Sequence, residues 1–79
     1  MKLKYVRDTD EKFRLGTLEE SHKNLARGLN NLQSAGFVKI RAGQAYKVRV
    51  TVFGESVSLG LKALMEDREL IENYLNKEG

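Results

Sequence analysis

In the stretch "GFVKIRAGQAYKVRVTVFG", residues 36–54, apolar and cationic side chains alternate on either side of a short central segment. Six apolar residues occupy even positions: Val38, Ile40, Tyr46, Val48, Val50 and Val52. The cations occupy odd positions: Lys39, Arg41, Lys47 and Arg49. A period of two is typical of a β-strand with one buried face. The stretch therefore predicts a β-hairpin over residues 37–53, with four positive charges and no acid on its solvent face.

The alternation also limits the connection between the two strands. Facing residues of paired antiparallel strands share a face, so the loop must contain an odd number of residues. A three-residue loop over residues 42–44 meets this condition, with Gly43 at positive φ. In that register Lys39 faces Lys47, and a shift by one pair leaves the two faces unchanged.

Before the hairpin, the sequence predicts a helix over residues 18–35. Thr17 and Glu20 fit a capping box at its start, and Gly36 suits a left-handed C-cap. Residues that step by four and three, as one helix face does, are Leu18, His22, Leu25, Leu29 and Leu32. His22 on this apolar stripe is predicted to be a packed residue. A second interpretation stays open, in which Ser21 caps a separate helix that begins at His22.

The two ends of the chain carry different patterns. Residues 2–7 alternate weakly and predict a short strand, whereas residues 11–15 predict a short helix. Residues 56–77 predict a long final helix capped by Ser56 or Ser58, because apolar side chains again step by four and three. Its apolar surface is wider than one face, which predicts contact with the core and with a second subunit.

Charge is distributed unevenly along the chain. The 79 residues carry a formal net charge of +3, but residues 21–53 hold six cations and no acid. Residues 66–79 hold five acids and two cations. A basic middle and an acidic tail predict one surface that faces a polyanion and another that faces elsewhere.

Composition excludes several classes of protein. A chain of 79 residues predicts one domain, and without cysteine it has neither disulfides nor thiolate metal sites. The carboxylate pairs Glu19/Glu20 and Glu66/Asp67 lack a neighbouring base, so we predict no enzyme. With no cysteine and one histidine we also predict no metal or cofactor, and no small-molecule effector is evident. No apolar run approaches the ~20 residues of a membrane span, and no signal peptide is visible, which predicts a soluble cytoplasmic protein without a membrane partner.

The residues "SHKNLARGLNNLQSAGFVKIRAGQAYKVRVTVFGESV" follow the order helix, glycine, strand, basic turn, strand, glycine, helix. This order resembles a winged helix-turn-helix domain of the small prokaryotic transcription-regulator type. The segment "LARGLNNLQSAGFV" resembles the recognition helix and first wing strand, and "YKVRVTVFG" resembles the second. The resemblance implies an α+β fold with a two-stranded wing and a long C-terminal helix. The chain departs from the family in its shortened or missing first helix.

A helix over 18–35 in the major groove would present the side chains opposite its leucines to the DNA. We predict that base edges are contacted by Lys23, Asn24, Arg27 and Asn31. We predict phosphate contacts for Ser21, Lys39, Arg41, Gln44, Lys47 and Arg49. The function predicted is a sequence-specific, double-stranded-DNA-binding transcriptional regulator, as a homodimer through the C-terminal helix. A winged-helix protein-interaction module and a non-specific nucleic-acid-binding protein remain as alternatives.

Overall fold

The computed structural model describes residues 1–77, apart from the side chain of Tyr46. The elements in chain order are β1 (Lys2–Asp8), β2 (Phe13–Gly16), α1 (His22–Leu25), β3 (Leu32–Ala42), β4 (Val48–Phe53), β5 (Glu55–Ser56), β6 (Leu61–Lys62) and α2 (Met65–Asn76). Strands β1 to β4 form an antiparallel sheet in the order β2-β1-β3-β4, and β5 pairs with β6 in a small second sheet. The fold is thus α+β, and its two described helices do not confirm a winged helix-turn-helix.

The N-terminal strand is confirmed, but the helix predicted over 11–15 is wrong. Phe13 and Leu15 pack partly buried against the core beneath α2, while Arg14 between them is exposed. The turn before β2 is held by Asp8, whose Oδ1 accepts hydrogen bonds from the N–H groups of Asp10 and Lys12. Pairing with β1 satisfies the backbone of β2, so a strand forms where the local pattern was ambiguous.

The helix predicted over 18–35 is also wrong, and the alternative helix capped by Ser21 is confirmed. The Ser21 side chain accepts a hydrogen bond from the N–H of Asn24 at 3.0 Å, and α1 then ends after four residues. Gly28 follows at φ +85°, which only glycine adopts easily. A turn after α1 brings the leucines together instead: Leu25 belongs to the buried cluster around Val6, and Leu29 packs against this cluster. From residue 32 onward the backbone forms hydrogen bonds with β1, and a helix in this segment would lose these bonds.

The hairpin has the predicted faces but a different register. Val38 faces Val52, and even positions remain paired with even positions. Lys39 faces Thr51 rather than Lys47, because the connection spans residues 43–47 instead of 42–44. Ala45, at φ 56°, takes the left-handed conformation predicted for Gly43, whose φ is −116°.

Helix α2 fixes this register from outside the hairpin. The Asn76 side chain accepts from the N–H of Val48 at 2.9 Å and donates to its carbonyl at 3.0 Å. Glu72 Oε1 accepts from the N–H of Val50 at 2.7 Å. These bonds occupy the outer edge of β4, so α2 both aligns this strand and closes the sheet edge against further pairing.

The final helix begins at Met65, not at residue 56 as predicted. Ser56 caps a turn rather than the helix, since its Oγ accepts from the N–H of Leu59 at 3.3 Å within the β5–β6 hairpin. Leu64 is the N-cap, and its N–H donates to the Asp67 carboxylate at 3.2 Å. No helix within residues 1–77 is long and apolar enough to cross a membrane.

The two faces of the sheet are covered to different extents. Helix α2 covers one face, where Tyr5, Val38, Val50 and Ile71 form a buried cluster. On the opposite face α1, the turn after it and the β5–β6 hairpin cover a second cluster around Val6. The rest of that second face has no helix over it among the described residues.

Candidate nucleic-acid interface

The uncovered part of the second sheet face is built from three rows of side chains that cross neighbouring strands. From the α1 end outward, these rows are Lys4–Phe37–Phe53, then Lys2–Lys39–Thr51, then Arg41–Arg49. We call these eight residues the open face. Six of them are exposed, and Lys4 and Phe37 are half-buried. Successive rows are separated by two residues along a strand, or about 6.8 Å.

Like charges face each other directly on the open face. Lys2 is paired with Lys39 across β1 and β3, and Arg41 is paired with Arg49 across β3 and β4. Such pairs destabilise a sheet, because directly facing side chains lie only about 5 Å apart at Cβ. The salt bridges found within residues 1–77 involve Arg7 and Arg68, and none involves an open-face cation. The open face therefore carries five cations that form no salt bridge within residues 1–77, and it contains no acid.

Two phenylalanines lie at one end of this charged surface. The rings of Phe37 and Phe53 stack with centroids 5.7 Å apart and planes 24° from parallel. Phe53 is 38% exposed, and Lys2 Nζ lies 5.9 Å from its ring centroid. His22 of α1 packs edge-on against Phe37, while its Nε2 lies 2.8 Å from the Gly36 carbonyl oxygen. His22 is therefore a packed residue that fixes the aromatic pair, as the sequence predicted.

The chain after Phe53 must pass close to this aromatic pair. A Cβ at Gly54 would lie 2.8 Å from Cδ1 of Phe37, and its φ of +77° is strained for other residues. Glycine at this position lets β4 leave the sheet without displacing the Phe37 ring.

Glu72 is the acid at the margin of the open face. The hydrogen bond from the Val50 N–H, with the neighbouring cations Arg68 and Arg49, holds the pKa of Glu72 below its ordinary value. Glu72 lies at the outer edge of β4 and its Oε1 is already bonded to Val50 and Arg68. It therefore bounds the open face without neutralising the pairs within it.

A separate charged cluster lies under α2 on the opposite face. Asp67, fully buried, accepts hydrogen bonds from the Tyr5 hydroxyl at 2.5 Å, the Ser34 hydroxyl at 2.6 Å and Arg7 Nη1 at 2.9 Å. Arg7 also contacts Glu66 at 2.6 Å. Every buried side-chain nitrogen and oxygen in the described residues has a hydrogen-bond partner. This cluster therefore holds α2 on the sheet and leaves no polar group free for chemistry.

The cluster shifts the pKa values of Asp67 and of the Tyr5 hydroxyl in opposite directions. Burial alone would raise the pKa of Asp67, but the hydrogen bonds from Ser34, Tyr5 and Arg7 outweigh it and hold this pKa below its ordinary value. Burial, together with the hydrogen bond to Asp67, raises the pKa of Tyr5 well above its ordinary value. A tyrosine that keeps its proton and an aspartate that stays charged form a stable structural pair.

The structure distributes the predicted site residues over three places. Lys39, Arg41 and Arg49 meet on the open face. Gln44 and Lys47 are exposed in the connection that joins β3 to β4, next to the Arg41–Arg49 row. The residues in and around α1 are exposed and lie past the Lys4–Phe37–Phe53 row, at the end of the open face opposite the Arg41–Arg49 row. They are Ser21, Lys23, Asn24 and Arg27.

The predicted base-reading surface is not a single helix face. Lys23 and Asn24 lie on α1, Arg27 lies in the turn after it, and Asn31 precedes β3 at φ 52°. The backbone carbonyl of Asn31 accepts from the N–H of Thr9 at 3.0 Å, which ties this residue to the β1–β2 turn. These residues are divided among a four-residue helix, a turn and the residue before β3, because strand pairing replaces the predicted helix from residue 32.

The sequence analysis identified the hairpin cations of the open face but missed four of its other residues, namely Phe37, Phe53, Lys2 and Lys4. Phe37 and Phe53 have odd numbers, like the cations of the hairpin, so their position on the same face was readable from the alternation. Lys2 and Lys4 have even numbers and join this face only through the pairing of β1 with β3. That pairing joins positions distant in sequence and has no local signal.

Comparison with known proteins leaves the family open. A scan against protein-family models, a search of the curated proteins and a search of the solved structures each found no match. Within residues 1–77 no group of three or more His, Cys, Asp or Glu side chains is placed to hold a metal ion. The winged helix-turn-helix resemblance stays a prediction.

Proposed function

We propose that this protein binds nucleic acid through the open face. The observation that carries the proposal is the pair of directly facing like charges, Lys2 with Lys39 and Arg41 with Arg49, on a surface without an acid. These pairs cost stability in the free protein. A phosphate backbone offsets that cost, because each neutralised phosphate releases condensed counterions.

Protection of sheet edges does not account for these cations. Lysine and arginine often guard an edge strand against pairing with another chain. Lys39 and Arg41, however, lie on β3, which has a strand on either side. The outer edge of β4 is closed by Asn76 and Glu72 of α2. A ligand of opposite charge accounts for cations at these central positions.

Sequence-specific regulation of transcription on duplex DNA is the narrower candidate. It is supported by the family resemblance and by exposed Lys23, Asn24 and Arg27 on the side of the sheet that carries the open face. Base reading would then come from α1 and the turn after it. The predicted homodimer is supported by exposed apolar side chains on α2, namely Met65 and Leu75. Sedimentation at micromolar concentration tests it, and a mass near 9.0 kDa would exclude the dimer.

The double variant Arg41→Ala/Arg49→Ala tests nucleic-acid binding. We expect weaker binding of fluorescein-labelled oligonucleotides, measured by anisotropy. The plot of log affinity against log salt should flatten by about 0.7–0.9 for each phosphate that the variant no longer neutralises. The matched control is Lys12→Ala/Lys77→Ala, which removes the same charge from exposed positions near Tyr74, away from the open face. Equally weakened binding in both double variants, or a wild type that binds no nucleic acid at low salt, would refute the proposal.

A further inference from the structure

An exposed aromatic ring among cations has a specific use in nucleic-acid binding. Phe53 presents 38% of its surface to solvent, backed by the stacked ring of Phe37. His22 and Gly54 in turn hold the Phe37 ring in place. A supported ring of this kind is a stacking platform for a base, whose own flat face must be unpaired and accessible.

The cations continue from this platform in a line. From Phe53, the next row holds Lys2 and Lys39, and the row after it holds Arg41 and Arg49. The spacing of these rows, about 6.8 Å, is close to that of successive phosphates along an extended single strand. One base on the ring and the following phosphates on the two cation rows therefore match the dimensions of the open face.

The shape of the protein disfavours entry into a duplex groove. The major groove, about 12 Å wide, admits an α-helix or a two-stranded ribbon. The open face instead spans three strands of a sheet that is backed by α2. Helix α1 has four residues and a length of about 6 Å, and one side of it is buried against Val6. Bases that remain paired inside a duplex would also be unable to reach Phe53.

We infer that the open face binds single-stranded nucleic acid, with one unpaired base stacked on Phe53 and the adjoining phosphates on Lys39, Arg41 and Arg49. This inference rests on the proposed binding of nucleic acid by the open face, and it replaces duplex DNA with a single strand as the ligand of that face. Lys2, whose ammonium lies over the Phe53 ring in the free protein, would leave the ring to the base and turn to a phosphate.

The test measures anisotropy of labelled oligouridine, oligothymidine and a mixed-sequence duplex of equal length. Wild-type protein should bind a single strand at least about tenfold more tightly than the duplex, because stacking adds to phosphate contact. The ratio between oligouridine and oligothymidine separates RNA from DNA as the source of the strand. Phe53→Leu should weaken single-strand binding by about 5- to 100-fold, whereas Phe53→Tyr should retain it.

Tyr74→Leu is the matched control, because Tyr74 is an exposed aromatic residue of α2 that packs against Phe13. It should bind as the wild type does. A second measurement needs no variant: a fluorescent adenine analogue in the strand should lose emission when it stacks on the unmodified protein. This readout remains valid if Phe53→Leu fails to fold.

The outcomes separate the two proposals. Duplex binding as tight as single-strand binding, or Phe53→Leu binding like wild type, overturns the single-strand inference and leaves nucleic-acid binding intact. The absence of quenching on a bound strand also overturns it. If wild-type protein binds none of the three at low salt, the proposed function fails together with this inference.

Discussion

Arg7 and Arg41 both lie in strands of the same sheet, yet their surroundings are opposite. Arg7 is buried beneath α2, with carboxylates of Glu66 and Asp67 at 2.6 and 2.9 Å. Arg41 is exposed on the other face, directly opposite Arg49, and forms no salt bridge with an acid among residues 1–77. One arginine holds the fold together, and the other is left free for a ligand.

The difference shows where the acids of the chain are used. The tail residues Glu66, Asp67 and Glu72 bond to Arg7, Arg68 or the backbone of β4, all on the α2 side of the sheet or at its edge. The cations of the hairpin therefore keep their charge available. The basic hairpin strands and the acidic tail of the sequence thus place their charges on opposite faces of one sheet or at its edge.

Removing the buried carboxylate of Asp67 should destabilise the face of the sheet beneath α2, and of the changes considered it should lower the melting temperature most. Asp67→Asn leaves Arg7 with only the exposed Glu66 as an anionic partner and disturbs the bonds from Tyr5 and Ser34. Breaking a buried ion pair costs about 3 kcal/mol or more. For a domain of this size the melting temperature should fall by about 12 °C or more. Thermal unfolding followed by circular dichroism measures this, with exposed Glu69→Gln as a control that should change little. Equal melting of the two variants would contradict the role of Asp67.

Acid should also destabilise the packing of α2 on the sheet, reversibly and by less than the Asp67→Asn substitution. The pKa of Asp67 is lower in the folded protein than in the unfolded chain, so its stabilising effect is complete above about pH 4, the ordinary Asp value. That effect is lost as the pH falls toward the folded-state pKa. Ser34→Ala removes one hydrogen bond that lowers this pKa, so acid unfolding should begin at a higher pH. Acid titrations by circular dichroism compare it with exposed Ser58→Ala. Identical acid transitions in both variants would exclude Asp67 as the titrating group.

Reversing one charge on the open face should have the smallest effect on stability, and in the opposite direction. Lys39→Glu converts a repulsive pair with Lys2 into an attractive one. It should stabilise the fold by about 0.5 kcal/mol, or about 2–4 °C in melting temperature. Nucleic-acid affinity should fall at the same time. Lys39→Gln, which removes the charge alone, should lie between wild type and Lys39→Glu in both measurements. If Lys39→Glu melts below Lys39→Gln, repulsion is not a cost in the native sheet.

Local pattern predicted the parts of the fold that depend on neighbours in sequence. The alternation of residues 38–52 placed the valines on one face and the cations on the other, and both assignments hold in the paired strands. Ser21 was identified as a possible cap, and it caps α1. A helix at the C-terminus was also predicted, although it begins at Met65 rather than at residue 56.

The local sequence pattern failed to predict the secondary structure where two different structures can bury the same regularly spaced residues. Leu25, Leu29 and Leu32 step like a helix face, but they reach one hydrophobic cluster just as well through a turn and a strand. The choice depends on β1, which offers residues 32–39 a complete ladder. The hairpin register likewise depends on Asn76, which lies 28 residues away in sequence from Val48.

The period of a strand requires no partner, so the residue numbers alone show which side chains share a face of each strand. By this rule Phe37 and Phe53 share a face with Lys39 and Arg41, although our prediction of the site did not include them. In contrast, the pairing of distant strands brings Lys2 and Lys4 to this face, and the docking of α2 covers the opposite face and brings its acids to Arg7. Pairing between distant strands and the docking of a helix are set by burial and hydrogen bonds across the whole chain, and these leave no periodic trace in any one segment.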